Sequence, residues 1–153
     1  MNVSYLPTGS AAESAVGYSA TYAGVDGLSV SYGSGDGTNS NTDATAMKAS
    51  YAYGPVTLAY SNYEYDTSGT SSDNETSSFK ISYTVSDEIS ISYGEETIEE
   101  GTGEDVETRG ISASYTAGGM TISASTQEIE NSAGGTAATQ DRERWALSAS
   151  FAF

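Results

Sequence analysis

The chain has 153 residues, 37% of them apolar, and a formal net charge of −16 against only five basic residues. That acidity excludes a nucleic-acid partner, which needs a basic surface to neutralise phosphates. With no Cys and no His, the chain lacks the residues for disulfides, thiolate metal sites, the commonest general bases and thiol nucleophiles, so no enzyme, cofactor or metal centre is expected.

Large aliphatic residues are sparse, whereas Tyr and Gly number 12 and 17. This mix favours strands and leaves little to pack between two sheets. No stretch approaches the roughly 20 apolar residues of a transmembrane helix. Met1 leads straight into a strand-like run, without the basic and apolar regions of a signal peptide, so a mature form or a fragment is expected.

Taken in order, short alternating runs recur, divided by connections that are alternately tight and long. Asn2–Leu6 and Ala15–Ala23 come first, and Gly24-Val25-Asp26-Gly27 turns the chain into Leu28–Gly33. After a polar stretch, Met47, Ala49, Tyr51 and Tyr53 alternate with Lys48, Ser50 and Ala52. Gly54-Pro55 then leads to Val56, Leu58 and Tyr60. The tyrosines of Asn62–Tyr65 fall in the opposite phase, which predicts a bulge or the start of a loop.

Phe79, Ile81, Tyr83 and Val85 alternate with Lys80, Ser82 and Thr84, turn at Ser86-Asp87-Glu88, and return through Ile89, Ile91 and Tyr93. Glu95–Glu107, crowded with carboxylates, is predicted as a loop. Ile111–Ala117 and Met120–Ser125 flank Gly118-Gly119, and Arg144–Phe153 ends the chain. In that last run Trp145, Leu147, Ala149, Phe151 and Phe153 share one face, while Arg144, Ala146, Ser148, Ser150 and Ala152 share the other.

One face is thus apolar and the opposite face is small and hydroxyl-rich, the reverse of a strand packed over a soluble core. About ten such strands, with short turns on one side and long loops on the other, predict an all-β, antiparallel, up-and-down transmembrane barrel forming one domain over 1–153. Aromatic residues gather at both ends of the apolar faces, as in interfacial girdles. Both termini lie on the short-turn side, so the ten strands are either part of a larger barrel or a small closed one.

The runs 47–60, 110–122 and 147–153 resemble the C-terminal part of a Gram-negative general porin of the alphaproteobacterial outer membrane. The resemblance implies a sixteen-stranded barrel, a trimer, and passive diffusion of small hydrophilic solutes and ions through an outer membrane rich in lipopolysaccharide. It also implies that the terminal Phe153 is the signal read by the barrel-assembly machinery. The chain is far shorter than that family's members, so their constriction loop is not carried over.

Four basic residues, Lys48, Lys80, Arg142 and Arg144, have the parity of the small face and are the candidate pore-lining residues. The opposing reading is that each is simply solvated. Arg109 has the other parity, near lipid headgroups. The acidic loops draw cations, so a cation-favouring passage is expected. Their spacing matches no defined calcium loop; 36–43 only hints at one. Two rival readings are a closed barrel whose outward loops serve adhesion, and a secreted acidic β-protein that binds calcium.

Overall fold

The computed structural model describes residues 1–7, 14–36, 42–67, 73–101, 103–132 and 141–152. Ten strands form one antiparallel sheet in sequence order: β1 (Asn2–Leu6), β2 (Ala15–Tyr22), β3 (Leu28–Asp36), β4 (Thr42–Tyr53), β5 (Val56–Thr67), β6 (Asn74–Thr84), β7 (Ile89–Glu100), β8 (Val106–Ala117), β9 (Met120–Glu130) and β10 (Arg142–Phe151). The four tight turns fall where Gly, Pro, Ser and Asp place them. Every neighbouring pair is an up-and-down hairpin.

No described residue is buried. The surface of 10379 Å² exceeds the roughly 7,300 Å² of a compact soluble monomer of this mass. Among the described residues this is a single layer with no second sheet or helix against it. Its two faces nevertheless differ. In β8, Val106, Thr108, Gly110, Ser112 and Ser114 are half-buried, while Glu107, Arg109, Ile111, Ala113 and Tyr115 are exposed. The sheet therefore curls around its small-residue face, which is the inner one, and carries most of its large apolar side chains outside.

Of the two arrangements the sequence left open, the structure excludes the small closed barrel: β1 and β10 are the two edges, and among the described residues they do not pair, so the ten strands form an open arc. One expectation is corrected: there is no bulge at Asn62–Tyr65. The β4–β5 and β5–β6 registers run one-to-one through Asn62↔Met47 and Tyr63↔Thr76, so Tyr63 and Tyr65 fall on the inner face.

Most of the strands also reach further from the tight turns than the alternation predicts. β7 and β8 take up most of the expected acidic loop, leaving 101–105 between them. The calcium-like stretch 36–43 lies largely outside the described residues, as does Phe153.

Two glycines with positive φ differ in what surrounds them. Gly54 (φ 55°) has open space where a Cβ would stand. Gly27 (φ 73°) would drive a Cβ into the Ala52 carbonyl oxygen, beside the 2.8 Å hydrogen bond that the Ala52 amide donates to the Gly27 carbonyl. Gly54→Ala should cost only the left-handed backbone penalty of about 1–2 kcal/mol. Gly27→Ala should cost clearly more, because the end of β4 must move away from its turn. Urea unfolding of both variants in detergent micelles checks the order; equal costs would contradict the close approach at Gly27.

Candidate functional site

The inner face is the candidate site, and hydrogen-bond register fixes where its side chains stand. One row of partners runs Lys48, Ser61, Ser78, Glu96, Thr108, Ile129 and Arg142 from β4 to β10. The adjoining row runs Lys80, Gly94, Gly110, Gln127 and Arg144 from β6 to β10. All four basic residues singled out in the sequence therefore lie on two neighbouring rows. Lys48 and Lys80 share one hollow of about 520 Å³ with Ser50, Ser61 and Ser78. Arg142 and Arg144 stand apart from them, on edge strand β10.

Toward the tight turns, the inner face carries hydroxyls and no charge. Ser92 and Ser112 are in contact at 2.7 Å, as are Ser90 and Ser114, and Thr116 meets Thr121 at 3.0 Å. Directly opposed Ser and Thr side chains stabilise an antiparallel pair while keeping the surface wettable. Toward the loops, Tyr63, Tyr65, Ile98, Val106 and Ile129 turn inward. The wall is thus zoned into an apolar rim, a charged belt and a hydroxyl field.

Sequence reasoning missed how the carboxylates divide between faces. Glu96 is on the inner face, where it accepts a 3.0 Å hydrogen bond from Ser78. Most other strand carboxylates lie outside, in rows above the apolar residues. Asp36, Asp43 and Asp66 are register partners, as are Glu64, Glu75 and Glu99. Polar neighbours partly satisfy them: Asn62 donates to Glu75 at 2.6 Å and Thr45 to Glu64 at 3.2 Å. Counting strand parity from the uninterrupted register would have found this division. Reading 95–107 as a loop hid it.

Arg109 lies on the outer face, where it is held between Glu128 (2.7 Å) and Glu130 (2.9 Å). Its hydrogen bond to Glu128 and the charge of both carboxylates hold it firmly protonated. No three carboxylates among the described residues converge closely enough to hold a metal ion.

At the outer end of β5, Asp73 raises the Asp66 carboxyl above its ordinary value through charge, with smaller contributions from desolvation, a hydrogen bond to Asp73, and the charges of Asp43 and Glu64. A carboxyl raised in the folded state contributes stability that is present at acid pH and lost as pH rises through the raised value. Asp73→Asn should return Asp66 toward the ordinary carboxylate range and flatten that dependence. An NMR titration of Asp66 reads it directly, and an unchanged midpoint would show that Asp73 is not the cause.

No family model matches the chain, and no curated protein matches it. Among solved structures it is similar to a porin, with a TM-score of 0.65 and 16% identity over 90% of this chain and 51% of that one. It is also similar to OccK8 (OprE) of Pseudomonas aeruginosa, with a TM-score of 0.65 and 14% identity over 97% of this chain and 52% of that one. The chain spans about half the length of the solved structures it matches. Its ten strands therefore have the fold of part of a porin barrel.

Proposed function

We propose that the chain forms part of the wall of an outer-membrane porin, a passive path for small hydrophilic solutes and ions. The observation that carries this reading is a single-layer sheet, with no described residue buried, whose large apolar side chains lie on the outer face along the half of the strands nearest the tight turns while hydroxyls coat the inner face there. In water such a face has no partner. In a bilayer it is the face that lipid covers. Lys48, Lys80, Arg142 and Arg144 then line the pore. The outer carboxylates stand at the level of lipopolysaccharide headgroups and gather cations at the mouth, which favours cation entry.

The edges of β1 and β10 cannot face hydrocarbon unpaired, so further strands complete the barrel. Phe153 serves as the assembly signal, and the complete barrels associate as trimers. Purified protein in planar bilayers should give stable conductance steps. Folded protein that inserts without conducting would favour an adhesion barrel. Protein that stays folded and monodisperse in plain buffer would defeat the membrane reading and return the soluble calcium-binding one.

A further inference from the structure

The inner wall has one place where opposite charges flank bare backbone. Gly94 and Gly110 are direct register partners on β7 and β8, so between Lys80 on β6 and Gln127 on β9 no side chain stands on the row. Glu96 lies two residues along β7 from Gly94, which puts it diagonally beside Lys80, about 7–8 Å away between backbones. These residues, with Thr108, border one hollow of about 430 Å³. A side chain is not accommodated at Gly110, where a Cβ would come within 2.7 Å of the Thr126 carbonyl oxygen.

Lys80 and Glu96 make no ion pair with each other or with any described residue, although they share the hollow. Glu96 is instead steadied by Ser78. Each charge therefore keeps its capacity for a solute. Two solvated charges on a wall would need no gap between them, whereas a docking solute needs a floor it can approach closely. Glycine supplies that approach.

We infer that this hollow is a binding step for small zwitterions of the α-amino acid type. The solute carboxylate meets Lys80, its ammonium meets Glu96, and Thr108 and Gln127 offer neutral hydrogen bonds at the margin. A singly charged solute satisfies only one side of the site. A neutral polyol satisfies neither. The inference rests on the channel reading for its physiological meaning, but the binding itself is separable from conduction.

Saturation-transfer NMR on the full chain in detergent micelles, with L-alanine as the probe and acetate, methylammonium and glycerol as comparators, tests it. Binding of L-alanine should exceed that of all three comparators. Lys80→Gln and Glu96→Gln should each weaken it about fivefold or more, the size expected for losing a charge-assisted hydrogen bond. The exchanged double variant, Lys80→Glu with Glu96→Lys, should recover most of it, which neither a folding defect nor a bulk charge effect would do.

Gly94→Thr, whose Cβ meets only the Phe79 carbonyl oxygen at 3.4 Å, fills the floor and should abolish binding with both charges intact. Acetate bound as tightly as L-alanine and indifferent to Glu96→Gln would overturn the inference in favour of a simple anion site. No saturation transfer to L-alanine in folded protein would also overturn it. Conductance steps without L-alanine binding defeat this site alone, whereas binding without conductance defeats the channel reading and leaves the site standing.

Discussion

Ile91→Lys is expected to destabilise the protein in a lipid bilayer by about 2–4 kcal/mol, the cost of a lysine at mid-depth on a lipid-facing strand. Ser90→Lys, one residue earlier, should cost no more than about 1 kcal/mol. Ile91 stands between Ile89 and Tyr93 on the outer face of β7 and is exposed. A lysine there has no aqueous route short of the membrane surface. Ser90 stands on the inner face, 2.7 Å from Ser114; its replacement loses one hydroxyl contact and places the ammonium among hydroxyls. Urea unfolding of both variants from lipid vesicles reads the difference. If Ser90→Lys proves the more damaging, the two faces have been assigned the wrong way round and the porin reading fails with them.

The contrast between these adjacent residues also shows why one half of each strand was legible in the sequence and the other was not. Nearest the tight turns, β4 to β9 alternate apolar residues with mostly small polar ones, Ala52 and Ala59 being small but not polar, and a period of two reads directly as a strand with two faces. The outer halves are also strands, but their alternation is inverted. Beyond Tyr60 on β5 the aromatic residues Tyr63 and Tyr65 move inward, and Glu64 and Asp66 move out. Beyond Tyr93 on β7, Glu95 and Glu99 are outside and Ile98 is inside. On β8, Arg109 and Glu107 are outside and Val106 is inside.

On the porin reading, the cause of the inversion is a change of solvent. Where lipid would wet the outer face, the outer residues are apolar. Where water wets it, the strand takes the ordinary antiparallel pattern, polar outward and apolar toward the more enclosed side. A reading that demands one phase along a whole strand takes the second half for a loop or a bulge. That is what happened at Asn62–Tyr65 and at 95–107. The open arc was equally hidden, because both edge strands are amphipathic in the same way as the central ones. Pairing between β1 and β10 is a question of curvature, which alternation does not encode.

The segregation of charge by face leads to the second large expected effect. The net charge of −16 describes the whole chain, whereas on the proposed channel reading a permeating ion meets the inner wall first. There, Lys48 and Lys80 share one hollow and Glu96 is the nearest acid along the rows. An ion passing about 4 Å from a lysine in a water-like medium feels about 1 kcal/mol, so reversing one site swings its energy by about 2 kcal/mol. Screening at a Debye length of about 10 Å reduces this only moderately within a narrow passage.

Lys48→Glu combined with Lys80→Glu should therefore raise the cation-to-anion permeability ratio by at least about tenfold, measured as the reversal potential across a salt gradient. Arg109→Glu makes the same kind of charge reversal on the outer face, where the guanidinium is held by Glu128 and Glu130. It should leave the ratio nearly unchanged. Equal shifts from the two changes would mean that the ratio reports the overall field of the protein, and would remove Lys48 and Lys80 from the conduction path.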